Sequence, residues 1–338
     1  MEGVSPPMRL LSERDVEQIV RPEIAIELAQ QAYIEHATGR LPDPARLDLR
    51  RAEPKAGMLV LAGFSSGAMG ILKSNMHAYS GAPAQRKTAS LLTVWDMVAC
   101  CPLALISSAA FNGHRTAAGF AAAAMRLARP DASTLSVFGS GHLAAWTIRY
   151  LARVRPLRHV FVVSRRLESA KALIAALRAE ASLASITFEA LDDPTAAAEG
   201  ADIIATVTSS DTPVFPGSAV KSGTFVILGG ANRPAAREVD DDLARRMTVY
   251  VDHAAGCMEK AGDLRVPLAS GVLMQSQMAG EIGTLLASGD MPPHADVMAF
   301  KSIGIAPQDL LLAQHILAQA DLLKIGTIWQ PRPASEAP

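Results

Sequence analysis

Three cysteines in 338 residues are too few for a disulfide framework, and Cys100, Cys101 and Cys257 show no metal-ligand spacing. Free thiols in a reducing cytoplasm are expected. None of the eight histidines pairs at ligand spacing, so no metal is expected. The formal net charge is only −1, which argues against nucleic acid or an anionic membrane surface as the main partner. No apolar run reaches bilayer-spanning length, and no basic-then-apolar segment opens the chain, so no membrane role is expected. Internal repeats and low-complexity linkers are also missing. What remains, 49% hydrophobic and 19% charged residues, is ordinary for a soluble enzyme of two domains.

Patterning divides the chain. Residues 12–38 read as two helices, the second starting near Pro22 and ending at Gly39. From Arg46 to about Leu105 the runs Met58–Ala62, Gly70–Lys73 and Ser90–Trp95 are short and β-type, separated by Gly, Pro and Asn. They predict hairpins of a largely antiparallel sheet. An Ala-rich helix over Thr116–Ala128 follows. Strands are then predicted near 159–164, 185–190, 202–207, 224–229 and 248–252, with helices between most of them and a helix near 270–288. That alternation predicts a Rossmann-type, doubly wound parallel sheet beside an α+β domain. The expected division is 1–128 for substrate binding and dimerisation, completed by 305–338, and 129–304 for a dinucleotide. The stretch Val297–Ile303 and a helix over 307–324 carry no dinucleotide role that the sequence reveals.

The most informative stretch is Ser133–Ala144. A β-branched run ends at Gly139, and Gly139-Ser140-Gly141-His142-Leu143-Ala144 opens an amphipathic helix. Gly139 suits the tight turn, Gly141 the close approach of a pyrophosphate, and Ala144 close helix–strand packing. The unpaired N–H groups of the new helix would face the anion. After the next strand an NAD-binding unit places an acidic residue for the ribose 2′-OH; here Ser164-Arg165-Arg166 stand instead. Two guanidiniums suit a 2′-phosphate, so NADP(H) is preferred over NAD(H).

Other residues carry chemistry less plainly. Lys73 closes an apolar run, a place also used by solvated edge charges. Arg115 opens the predicted Ala-rich helix, where a cation opposes the dipole and suggests an anion nearby. Arg46 lies in a loop that water alone could explain. Asn232 follows strand 224–229 at the carboxyl edge of the sheet, where ligands bind, although Asn-Arg-Pro is also a common turn.

Together these segments resemble the ornithine cyclodeaminase/μ-crystallin family, from about Arg46 to Ala320. The resemblance rests on Lys73; Arg115-Thr116-Ala117-Ala118; Gly139-Ser-Gly-His142; Thr206-Val207-Thr208 with Pro213-Val214; Gly229–Pro234 followed by Glu238; Gly280–Gly283; and Phe300–Gly304 followed by Asp309. It implies a homodimer joined through the non-Rossmann domain and a small amino or imino acid substrate. Arg46, Lys73 and Arg115 match positions that bind the substrate carboxylate, and Gly304 joins that group. Thr116, Thr206, Val207, Thr208 and Asn232 join the cofactor set. Cyclodeaminating members resemble one another in an aspartate where this chain has Asn232, and an amide is no general base. The resemblance therefore implies an NAD(P)H-dependent reductase of a small cyclic imino acid. Its rivals are a cyclodeaminase-type lyase, an alanine- or opine-type dehydrogenase, and a cofactor-dependent binder with little turnover.

Overall fold

The computed structural model describes residues 6–42, 46–52, 56–65, 67–80 and 85–330. Along the chain the elements run β1 (Met8–Leu11), α1 (Glu13–Ile19), α2 (Pro22–Ala37), β2 (Leu47–Arg51), β3 (Ala56–Phe64), β4 (Met69–Ser80), β5 (Gln85–Asp96), β6 (Cys101–Ser107) and α3 (Ser108–Leu127). Next come β7 (Thr134–Phe138), α4 (His142–Val154), β8 (His159–Val163), α5 (Leu167–Arg178), β9 (Thr187–Leu191), α6 (Pro194–Gly200), β10 (Ile203–Thr206) and β11 (Phe225–Leu228). The chain ends with α7 (Asp241–Ala244), β12 (Met247–Val251), α8 (Ala254–Lys260), α9 (Gly262–Ala269), β13 (Met278–Glu281), α10 (Ile282–Ser288), β14 (Val297–Lys301), α11 (Ala306–Leu323) and β15 (Thr327–Trp329). Two compact units emerge: Met1–Arg115 with Ala306–Pro338, and Thr116–Ile305.

The first unit is α+β. Its seven strands lie in the order β15-β1-β6-β5-β4-β3-β2, and β2 to β6 form an antiparallel meander. Alternation along β4 sets its two faces: Ile71 and Lys73 point into the core, while Leu72 and Met76 stay exposed. Helix α11 packs against α2, β3 and β4 and closes the inner face. The outer face displays Leu49, Phe64, Leu72, Met76, Leu91 and Trp95 to solvent. Helix α1 begins with a capping box in which Ser12 and Asp15 exchange hydrogen bonds.

The second unit is the doubly wound α/β part. Its eight strands, in the order β13-β12-β14-β11-β10-β7-β8-β9, pair in parallel throughout. Strand order reverses between β7 and β10, which makes a switch point at the end of β7. The central strands are buried on both faces, as crossover helices require, and β10, β11 and β14 are buried at every residue. No helix among the described residues is long and apolar enough to cross a membrane.

Three sequence expectations need correction. Helix α3 starts at Ser108, eight residues before Thr116, so Arg115 sits inside the helix and the dipole argument for it fails. The cause is a cap from far away: the Glu13 carboxylate accepts the N–H groups of Ala109 and Ala110 and the Ser107 hydroxyl. Lys73 is mid-strand and 2% exposed rather than an edge charge. The strand runs on through Ser74-Asn75 because the Asn75 side chain is held by Ser90 and Asn112. The helix expected near 270–288 is interrupted by β13, since Gly271 and Gly280 take positive φ and the segment pairs with β12. The stretch Val297–Lys301, inside the expected 129–304 domain but without a role read for it, is β14 and lies between β11 and β12 in the dinucleotide-type sheet.

Candidate active site

In the first unit, three side chains from three elements converge. The Lys73 Nζ on β4 donates to Asp309 Oδ2 on α11 at 2.5 Å, and both side chains are 2% exposed. Arg115 Nε, on α3, lies 3.4 Å from Asp309 Oδ1 without forming a hydrogen bond. Lys73 also donates to Asn112 Oδ1 at 3.3 Å. That amide is fixed in orientation, because its Nδ2 donates to Asn75 Oδ1 and Ser90 Oγ, each at 3.2 Å. An ammonium has three protons, so one remains uncommitted to any described residue. Burial pulls the Lys73 pKa down to about 7; Arg115 and Arg46 push the same way, and Asp309 opposes them. Arg46, half-buried just before β2, therefore acts on the same group. Two cations, Lys73 and Arg115, share the one buried carboxylate of Asp309, which leaves a net positive charge there.

In the second unit, β7 ends at Phe138 and the ladder continues into the turn through Gly139 N–H to the Val163 carbonyl at 2.8 Å. Gly139 has φ +119°, and a Cβ there would stand 2.8 Å from the Val207 carbonyl oxygen, so a side chain is excluded twice. Gly141 is the N-cap of α4, and a Cβ on it would meet nothing within 4 Å. That open space before exposed helix N–H groups fits a pyrophosphate. His142, exposed, starts the helix and accepts from Trp146 Nε1, and Leu143 is half-buried beside it. Ser140 Oγ and Ser164 Oγ lie 2.8 Å apart, linking the glycine turn to the end of β8. Arg165 and Arg166 are exposed before α5. Thr116 is half-buried on α3.

The loops after β10 and β11 share one anchor. Glu238, fully buried, accepts from Thr206 Oγ1, Thr208 N and Oγ1, and the N–H groups of Gly230 and Ala231. Burial and the nearby Asp263 push its carboxyl upward, while Thr208 and Lys301 counter that. Lys301 Nζ, buried to zero exposure, donates to Asp263 Oδ2 at 2.9 Å and to the Ala231 carbonyl at 2.5 Å. Ala231 is thus held at both its N–H and its carbonyl, and the next residue, Asn232, is exposed. Val207, half-buried, offers its carbonyl to the face of Gly139. Gly304, in the second unit, has φ +75° and gives its N–H to Asp252 Oδ2 at 2.7 Å.

Asp309, Asn112, Glu238, Asp263 and Lys301 were absent from the candidate set read from the sequence. Only Glu238, Lys301 and Asp309 left a signal there, Glu238 and Asp309 as residues closing quoted motifs and Lys301 inside one.

The model of the ornithine cyclodeaminase/mu-crystallin family matches residues 7–321. The chain belongs to this family. A family relative from Paracoccus denitrificans, a Delta(1)-pyrroline-2-carboxylate reductase, is 34% identical over 217 residues, 63% of this chain and 67% of its own. The reductase of the same name from Bacillus cereus (strain ATCC 10987) is 26% identical over 318 residues, 93% of this chain and 97% of the relative. Among solved structures, the Thermococcus litoralis Delta(1)-pyrroline-2-carboxylate reductase in complex with NADH and L-proline superposes with a TM-score of 0.86. It is 22% identical and covers 95% of this chain and 99% of its own, a likeness of fold.

Proposed function

We propose that this family member is an NADPH-preferring reductase of a small cyclic imino acid, of the pyrroline-2-carboxylate or piperideine-2-carboxylate type. It yields the cyclic amino acid. The observation that carries the reading is the pair of cations Lys73 and Arg115 on the single buried carboxylate of Asp309, which leaves a net positive charge for one more anion. The substrate carboxylate supplies it, taking the third Lys73 proton and the unpaired Arg115 Nε–H. These residues orient the imine and fix the face attacked, a contribution of placement rather than covalent chemistry. Gly139, Ser140, Gly141, His142 and Leu143 would hold the pyrophosphate, and Ser164, Arg165 and Arg166 the adenosine 2′-phosphate. Val207, Thr208 and Thr116 would line the remainder of the cofactor, with Thr206 buried beneath them and tied to Glu238. When bound, that cofactor supplies the hydride for the C=N carbon. Asn232 would hydrogen-bond the ring nitrogen or the nicotinamide amide through either end of its own amide. The decisive experiment follows nicotinamide fluorescence over a panel of cyclic imines, 2-oxo acids with ammonia, and ornithine. Turnover only with 2-oxo acids, or with nothing, would overturn the reading.

Cofactor choice gives a sharper test. A charge-assisted contact contributes roughly 1.5–3 kcal/mol, so NADPH should bind about tenfold or more tightly than NADH. Arg165→Ala should narrow the gap with NADH affinity almost unchanged. Equal affinities in the wild type would remove the 2′-phosphate role.

Asn232 separates the reductase from a lyase. Incubation with ornithine and oxidised cofactor should release no ammonia above a blank, since the amide cannot accept a proton at neutral pH. Proline and ammonia appearing without external reductant would contradict this. The apolar outer face of the seven-stranded sheet is the surface we assign to a homodimer; contiguous patches of this kind mark association sites. The free thiols of Cys100, Cys101 and Cys257 suit a reducing cytoplasm.

A further inference from the structure

We propose that Asp309 is the positioning residue of substrate capture: its carboxylate keeps Lys73 an ammonium and aims it at the incoming carboxylate. The inference rests on the reading of Lys73 given under Proposed function. Three observations carry it. First, the surroundings of Lys73 would otherwise strip its charge. Its cross-strand neighbours are Leu61 and Leu92, the Phe111 ring lies 6.0 Å away, and the charged groups facing it are Arg115, Arg46 and Asp309. Two of those three repel a proton, and only Asp309 attracts one.

Second, the geometry leaves work undone. Asp309 Oδ2 holds Lys73 at 2.5 Å, whereas the buried Oδ1 has no hydrogen bond and faces Arg115 Nε, which also has none. A pair meant only to staple α11 to β4 would satisfy both oxygens. Here Asp309 holds Arg115 by charge without consuming its donors. Third, Asn112 takes a second Lys73 proton from a fixed direction, so the third points along a determined line. Asp309 and Asn112 thus orient the ammonium, and the neighbouring guanidinium stays available.

The sign follows from which form binds. Protonated Lys73 is the form that captures a carboxylate, so wild-type kcat/KM should fall as pH rises through about 7. In Asp309→Asn the attracting charge is gone, and that fall should move toward acid by about one pH unit or more. At pH 8 the variant should then lose about tenfold or more relative to the wild type, with a smaller loss at pH 6. Lys73→Arg supplies a cation that does not titrate; in that background Asp309→Asn should leave the shape of the profile unchanged. An equal loss at every pH, or the same displacement in the Lys73→Arg background, would overturn the proposal and leave Asp309 a structural staple.

A readout independent of turnover guards against misfolding and against a wrong substrate class. In 13Cε-lysine-labelled protein, the Lys73 resonance, assigned by its loss in Lys73→Arg, should titrate at lower pH in Asp309→Asn. An unmoved titration in a folded variant overturns the proposal. A moved titration in a protein that reduces no imine supports the proposal and discards the reductase reading.

Discussion

Lys73→Ala and Arg115→Ala should each lower imine-reductase kcat/KM at least about a hundredfold, equivalent to roughly 2.7 kcal/mol of transition-state stabilisation. Each removes one of the cations that a buried carboxylate needs, and an anion left with too few partners costs several kcal/mol. The structure adds a consequence for stability that differs between the two. Lys73→Ala strands Asp309, 2% exposed, with only the poorly aligned Arg115, so its Tm should fall as well. Arg115, 18% exposed and not hydrogen-bonded to Asp309, should leave the Tm nearly unchanged when truncated. Lys73→Ala combined with Asp309→Asn should recover stability without recovering turnover. Steady-state kinetics beside thermal melts separate the two effects. Wild-type-like kcat/KM in both single variants would take these residues out of the site.

Lys301→Met should produce the largest loss of stability. It leaves Asp263, at zero exposure, without its cation, and frees the Ala231 carbonyl. Breaking a buried pair from one side costs about 3–5 kcal/mol. For a unit of this size each kcal/mol is worth roughly 2–4 °C, so a fall of about 6–20 °C is expected. Lys301→Met with Asp263→Asn should regain much of it, because the second change removes the stranded charge. Cofactor affinity should suffer in the single variant, since the loops after β10 and β11 are tied to the same network through Glu238. Differential scanning calorimetry and a nicotinamide titration measure the two. A Tm within two or so degrees of the wild type would mean that the network is not a restraint.

What the chain declares locally was legible before folding. The glycine turn, the switch from period-two runs to alternating strands and helices, and the antiparallel block before them all depend on near neighbours in sequence. The misreadings share a cause in long range. Nothing near Ser108 announces a helix, because its cap is Glu13. Ser74-Asn75 looks like a strand end until Ser90 and Asn112 arrive. Short β14 could not be told from a terminal segment, since its identity comes from the slot between β11 and β12. The cations Lys73 and Arg115 were visible as residue types, and the anion that joins them was not: Asp309 lies 236 positions beyond Lys73.

That separation governs the order in which the polypeptide can mature on the ribosome. Thr116–Ile305 is one uninterrupted stretch and can consolidate as soon as it clears the exit tunnel. The other unit is split, and its inner sheet face waits for α11, which is made only after the whole of Thr116–Ile305. Until then a lysine destined for the interior has no counter-charge, and β1 lacks β15 on one edge. Nascent chains arrested before residue 306 should therefore present a complete meander with its inner face uncovered, the stage at which a chaperone has most to protect.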